Sequence, residues 1–311
     1  MSEERYDDLI AQQSKIPQTA QAPTADSQPN VTPQLSREDY AAKKKTERDN
    51  LSELAKQTEA AMVGDGGKFQ QYLNTLSRFE RYSPQNTLLI YAQRPGATRI
   101  GDYEHWKDAE TPVNKGAAGI AIFEPGAEYT KEDGSVGVSM NIKHVFDVSQ
   151  TAARNKTQPV PTRDIRDLLR ALMSNPPVPI KLVDALTGKP GAGALYQPQQ
   201  NVIEVTRGLN GDSLYRCLAQ EIAYAEIDRS SVEVKEPGFT AYAASYTLCQ
   251  KYGVDTKGYD FSSVPDSFNG LEGKDVRGEI RALRDTVNDI AGRMVKTLEQ
   301  QKSAPAQEAR A

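Results

Sequence analysis

The sequence predicts an α+β fold: N-terminal helices with a β-hairpin, then an α-β-β-β-α-α arrangement, then a long C-terminal helix. Three observations predict it. Apolar residues recur at helical spacing at Phe69, Tyr72, Leu73, Leu76 and Phe79, and again from Val276 to Leu298. Asp133-Gly134, a hairpin turn signal, separates an apolar run over 119–123 from a strand-like stretch over 136–148. Residues 192–197 and 201–206 read as a second hairpin between helical segments.

Taken in order, residues 1–35 hold six glutamines, four prolines and one aromatic, Tyr6. Such a segment buries too little apolar surface to offset its ordering entropy, so a disordered tail is expected. Ser36 with Asp39 resembles a capping box opening a polar connecting helix over 36–65, solvated because its stripe (Leu51, Leu54, Ala55, Met62) is thin. The first domain is expected over 66–150. Its second helix starts at Ser83-Pro84, where serine caps and proline is tolerated at the first position. Arg94-Pro95-Gly96 ends that helix, and a short one over 103–109 carries Trp106. Residues 151–162, polar and with Pro159 and Pro161, are expected as the linker. A second domain over 163–265 holds a helix, a strand, the second hairpin and two helices. A helix over 272–301 and a frayed tail over 302–311 complete the chain.

The 311 residues are about twice the usual domain length. A net charge of −4 and a pI near 5.5 exclude a protein that coats duplex DNA by bulk positive charge. Two cysteines exclude a disulfide scaffold and a Cys-rich zinc module. The N-terminus MSEERYDDLI lacks the basic start and apolar run of a signal peptide. No apolar stretch approaches the roughly 18 residues of a membrane helix. The composition therefore reads as cytoplasmic, with no membrane partner. Histidine is scarce: His105 and His144 are the whole set.

A helix following strand and hairpin is where zinc peptidases of the HExxH type carry their motif. Two histidines four apart face one ion, and the adjacent glutamate activates its bound water. Here that helix reads Leu218-Ala219-Gln220-Glu221-Ile222-Ala223-Tyr224, with Gln220 and Tyr224 in the histidine places and Glu221 in the base place.

The stretch Ser77-Arg78-Phe79, Arg81-Tyr82-Ser83, Asn86-Thr87-Leu88-Leu89 and Ala92-Gln93-Arg94-Pro95 resembles the N-terminal domain of ArdC-type antirestriction proteins. Lys115-Gly116, residues 119–122 and Val145-Phe146-Asp147-Val148-Ser149-Gln150-Thr151 continue the resemblance. Residues 218–224 are similar to that family's L-A-H-E-[LI]-A-H, and the run from Thr240 to Asp255 to its later motif. The resemblance covers roughly 45–265. It implies a single-stranded-DNA-binding domain followed by a zincin-like metallopeptidase domain. It also implies that Tyr242 stands where the third metal ligand, a glutamate, would be. A carboxamide and two phenols of ordinary pKa about 10 do not make a zinc site at pH 7. No catalytic residue, metal or cofactor is therefore expected: Gln220, Glu221, Tyr224 and Tyr242 read as a degenerate motif. Glu221 is expected as a polar helix residue hydrogen-bonded between Gln220 and Tyr224. Cys217 lies one turn before it with no histidine in this half to activate it, and a buried thiol is its expected state.

Sequence-tolerant binding of a single strand needs cations for phosphates and aromatic faces for bases. Residues 66–123 hold seven basic and five acidic side chains, a net of +2 in an acidic chain, and eight of its 22 aromatics. The candidate contacts are Arg78, Arg81, Tyr82, Asn86, Arg94, Arg99, Trp106, Lys107 and Lys115. Each has a plainer role open to it. Arg78 and Arg81 either clamp a phosphate or pair with Glu80 and acids on the preceding helix. Tyr82 and Trp106 either stack on bases or pack. Asn86 either caps its helix or helps its free N–H groups receive a phosphate. Lys115-Gly116 is a turn or a phosphate contact, and Arg94 and Arg99 either meet phosphate or decorate a loop. The resulting expectation is a single-stranded-DNA-binding, antirestriction-like accessory protein of a mobile genetic element, as used in conjugative transfer. A host- or element-encoded protein is its second expected partner, and its peptidase-like domain is expected to be inactive. The alternatives are a protein-interaction pseudo-enzyme without DNA binding and a hydrolase of non-standard chemistry.

Overall fold

Side-chain caps set the helix starts in this chain. Asp65, Ser83, Asp102, Asp164 and Asn210 each accept a backbone N–H from the first turn of the helix that follows. Such caps satisfy donors that have no intrahelical partner. The computed structural model describes residues 36–153, 163–186 and 191–308, with side chains to residue 300. The tail expected over 1–35, most of the linker expected over 151–162 and residues 309–311 lie outside the described residues.

The elements run α1 (Arg37–Val63), α2 (Gly66–Phe79), α3 (Pro84–Gln93), β1 (Ile100–Gly101), α4 (Tyr103–Asp108), β2 (Ile120–Thr130) and β3 (Val136–Asp147). There follow α5 (Ile165–Leu172), β4 (Ile180–Val183), β5 (Ala194–Gln197), β6 (Val202–Thr206) and α6 (Gly211–Arg229). The chain ends with α7 (Pro237–Tyr252), α8 (Val264–Ser267) and α9 (Gly273–Glu308). The α+β class holds, with the α-β-β-β-α-α order in the second half. Three elements differ from expectation. β1 is too short to carry a pattern and forms because Ile100 and Gly101 meet Asp147 and Phe146 of β3. The four-residue α8 was likewise not expected. The last helix continues past residue 301 to Glu308.

Two sheets organise the chain. In the first, β3 lies between β1 and β2, all antiparallel; Gly134 turns the hairpin at φ +79, a conformation that favours glycine. In the second, β6 is central, parallel to β4 and antiparallel to β5, which leaves β5 on an edge facing α6.

Residues Lys44–Ala311 group as one compact unit, and the start of α1 belongs to a separate one, where Asp39 N–H donates to Ser36 Oγ at 3.0 Å. Within the larger unit α2 turns Phe69, Tyr72, Leu73 and Leu76 into the same core as α6, α7 and α9. Phe69 is wholly buried, with ring centroids of Phe239, Phe261 and Phe268 at 5.5, 5.7 and 5.8 Å. Burying a ring of this size contributes about 2–3 kcal/mol. Gly66 lies so close to the Phe261 carbonyl that no Cβ fits there. The α9 stripe from Val276 to Leu298 is buried as its spacing predicts. The solvated character expected for α1 does not hold in its second half: Leu51 and Ala55 pack on Leu89 and Phe123, and Met62 reaches the main core. A thin stripe suffices because sheet and helix close over it.

Candidate functional site

On α6, three positions of the degenerate motif separate. Helix geometry turns successive side chains about 100° apart, so Gln220 and Glu221 face different surroundings. Gln220 lines a cleft of about 470 Å³ together with Tyr242, Cys217, Arg216, Lys257 and Tyr259. Glu221 points instead toward the second sheet. Buried at 9% exposure, its Oε2 accepts the backbone N–H of Tyr196 on edge strand β5 at 2.8 Å. That bond replaces the bracketing expected from Gln220 and Tyr224. Tyr224 packs its ring edge-on against Tyr196, centroids 5.9 Å apart. Tyr242 accepts the Asp260 N–H at 2.7 Å and leans on Tyr259, centroids 4.9 Å apart.

These donors do not fit a divalent metal. Among the described residues no three of His, Cys, Asp and Glu converge anywhere. Cys217 is half-buried and lines the cleft rather than being the buried thiol expected; partial burial still pushes it above its ordinary pKa, against the pull of a Gly193 backbone bond and Arg216. It is neutral at pH 7. Cys249, deeper still, is pushed up to about 12, again by burial. Neither is a poised nucleophile.

In the first half the nine candidates fall into different circumstances. Arg81, Lys107 and Lys115 are exposed, with no side-chain partner among the described residues. Arg78 is exposed and donates through Nη2 to the Pro95 carbonyl at 2.7 Å, which brings it to the turn that carries Arg94, itself half-buried. Glu80, the acid expected to neutralise Arg78 or Arg81, is taken elsewhere: it is buried and ion-paired with Lys251 of α7 at 2.8 Å.

Tyr82 is half-buried, edge-on to Phe79. It shares a groove of about 380 Å³ with Asn86, Asp102, His105, Glu124 and Lys143. In that groove Lys143 is already paired with Asp102 at 2.8 Å and Glu124 at 3.1 Å, so it offers a phosphate little. The other three candidates are committed to structure. Asn86 is buried, its amide donating to the Phe123 carbonyl at 2.8 Å and accepting the Phe123 N–H at 2.9 Å, which pins α3 to β2. Trp106 is 1% exposed with Nε1 donating to the Phe146 carbonyl at 2.8 Å, so the stacking platform considered for it gives way to a core role. The Arg99 guanidinium lies 5.0 Å from the Trp106 ring centroid, a cation–π contact rather than a loose loop cation.

Asp147, not singled out as a site residue from the sequence, organises this half. Its Oδ1 accepts the N–H groups of Thr98 at 2.7 Å and Arg99 at 3.1 Å, and its Oδ2 accepts Ser149 N–H at 2.9 Å. Gln150 answers by accepting Asp147 N–H and donating to the Ala118 carbonyl. Burial alone would raise the Asp147 carboxyl, but the bonds from Ser149, Thr98 and Arg99 hold it below its ordinary value. The Asp-x-x-Gln spacing of a capping box was the available signal.

No family model matches the chain. It is 25% identical to an uncharacterized Bacillus anthracis protein, pXO2-81, over 74% of this chain and 47% of that one. The chain thus spans about half the length of the curated relative it matches. Among solved structures it is similar to the metal-free antirestriction ArdC protein of plasmid R388, at 16% identity and a TM-score of 0.48, over 70% of this chain and 86% of that one. The Mn(II)-bound form of the same protein gives 16% identity and 0.42, over 80% and 97%. Both solved structures are of an ArdC antirestriction protein, the family whose motifs this sequence resembles over roughly residues 45–265.

Proposed function

We propose that this chain is an antirestriction-like accessory protein of a mobile genetic element that binds single-stranded DNA through its first half. In this reading the peptidase-like second half carries no hydrolytic activity. One observation supports the DNA reading: Lys251 occupies Glu80, and the exposed Arg78, in the last turn of α2, and Arg81, just beyond it, form no ion pair among the described residues. Two guanidinium groups so placed suit a phosphate, which takes charge-assisted hydrogen bonds best from arginine. Arg94, Lys107 and Lys115 supply further phosphate contacts, and Tyr82 the aromatic face. The chain is acidic overall, so binding is modest and weakens steeply with salt. The inactive reading of the second half rests on Gln220, Tyr224 and Tyr242 in the ligand places and on Glu221 bonded to β5.

A mobility assay with a single-stranded oligonucleotide over a salt series tests this. Wild type is retained at low salt, and Arg78→Ala with Arg81→Ala loses most of the retention while keeping its melting temperature. Absence of any salt-dependent retention by wild type removes the DNA reading.

A second reading, a protein-interaction module, is favoured by one feature. Val136, Val138 and Met140 alternate along β3 and stand 65%, 46% and 40% exposed on one face of the long hairpin. A folded full chain that ignores oligonucleotides at every salt concentration would favour it.

A further inference from the structure

The cleft beside Gln220 presents hydrogen-bond donors where a metal site presents lone pairs. Arg216 and Lys257 line it, and among its described lining residues there is no carboxylate. The one acid at the motif, Glu221, is turned to the Tyr196 N–H. Arg216 spends two of its five N–H groups, on the Lys257 carbonyl at 2.6 Å and Ser213 Oγ at 3.3 Å, and keeps its charge. Those bonds hold the Lys257 loop against α6. The Lys257 side chain and the Gln220 amide have no partner among the described residues.

The hydroxyls add to this by proton bookkeeping. Tyr242 Oη already accepts the Asp260 N–H, which leaves its own proton to donate. Ser245 Oγ donates to the Arg216 carbonyl at 2.9 Å, so the 2.6 Å contact between Ser245 and Tyr259 has Tyr259 as donor. Tyr259 is thereby fixed as a wall, and Tyr242 remains the hydroxyl that serves a ligand. Two cations, an amide and a phenol, with no carboxylate among the described lining residues, repel a divalent cation and attract an oxyanion.

We propose that this cleft is a phosphate-binding site, taking a phosphate monoester of about mononucleotide size. The phosphate sits between Arg216, Lys257 and Gln220, and Tyr242 donates to it or presents its ring to the rest of the ligand. A bare phosphate leaves most of the volume unused, whereas clefts of a few hundred Å³ are ordinary small-molecule sites. The proposal is independent of strand binding by the first half, since none of Arg78, Arg81 or Tyr82 lines this cleft.

Calorimetric titration of the full chain with thymidine monophosphate, inorganic phosphate and thymidine tests it. Thymidine monophosphate binds saturably at one site per chain, inorganic phosphate competes for that site, and uncharged thymidine does not bind. Phosphate binding as tightly as the ester identifies the free ion as sufficient; tighter binding of the ester identifies the larger ligand. Lys257→Ala weakens binding about tenfold, the worth of one charge-assisted hydrogen bond. Gln220→Glu, which places a carboxylate in the cleft, abolishes it. Lys257 is exposed, Gln220 half-buried, and neither side chain forms a hydrogen bond among the described residues, so both variants keep the wild-type melting temperature. No saturable binding of either phosphate by wild type, or equal binding by both folded variants, overturns the proposal.

Discussion

The Glu221 carboxylate holds the backbone N–H of Tyr196, 25 residues earlier on the edge strand β5, at 2.8 Å. The residue that the ArdC resemblance would place as general base is here a clasp between helix and sheet. Glu221→Ala leaves a buried N–H without its acceptor and costs about 2 kcal/mol. The melting temperature then falls by about 5 °C in thermal unfolding followed by circular dichroism. An unchanged melting temperature would mean that the clasp contributes nothing.

Trp106, the chain's one tryptophan, is a built-in reporter of whether bases stack there. Buried, bonded to the Phe146 carbonyl and covered by Arg99, it emits at short wavelength in the free protein. Saturating oligonucleotide leaves both intensity and wavelength nearly unchanged. Strong quenching on binding would return Trp106 to the nucleic-acid surface.

Asp147 gives the first half an acid-sensitive joint. Its folded pKa lies below the unfolded value of about 3.9, so its stabilising contribution is full above that value. The contribution is lost as pH falls through the depressed folded value. Asp147→Asn therefore destabilises by about 2 kcal/mol at pH 7, where the carboxylate accepts three N–H groups. The gap between variant and wild type narrows below pH 4. Equal gaps at pH 7 and pH 3 in denaturant titrations would contradict the assignment.

The two thiols respond differently to alkylation. Burial raises both, so at pH 8 iodoacetamide labels Cys217 slowly, through the cleft, and leaves Cys249 untouched until the chain unfolds. Peptide mass spectrometry reads the two sites separately. Rapid labelling of Cys217 at pH 7 would reopen a nucleophilic role for it.

The longer helices and both hairpins are legible in the sequence, because periodicities of 3.6 and 2 and the Ser83 cap are local signals. Gln220 and Tyr224, in the places where the resemblance would put histidines, are likewise read directly. What each surviving polar group does depends on packing between distant elements. Glu221 bonds across to β5, Glu80 pairs with Lys251 171 residues away, and Asn86 clamps Phe123. Their partners come from distant elements, and no spacing along the chain encodes a bond of that range. The same limit hid Trp106, whose polar tip suits a surface or a core equally until β3 supplies the Phe146 carbonyl. Packing likewise converted α1 from a solvated connector into half a core element, because Leu51 and Ala55 meet Leu89 and Phe123 only once the first sheet has formed.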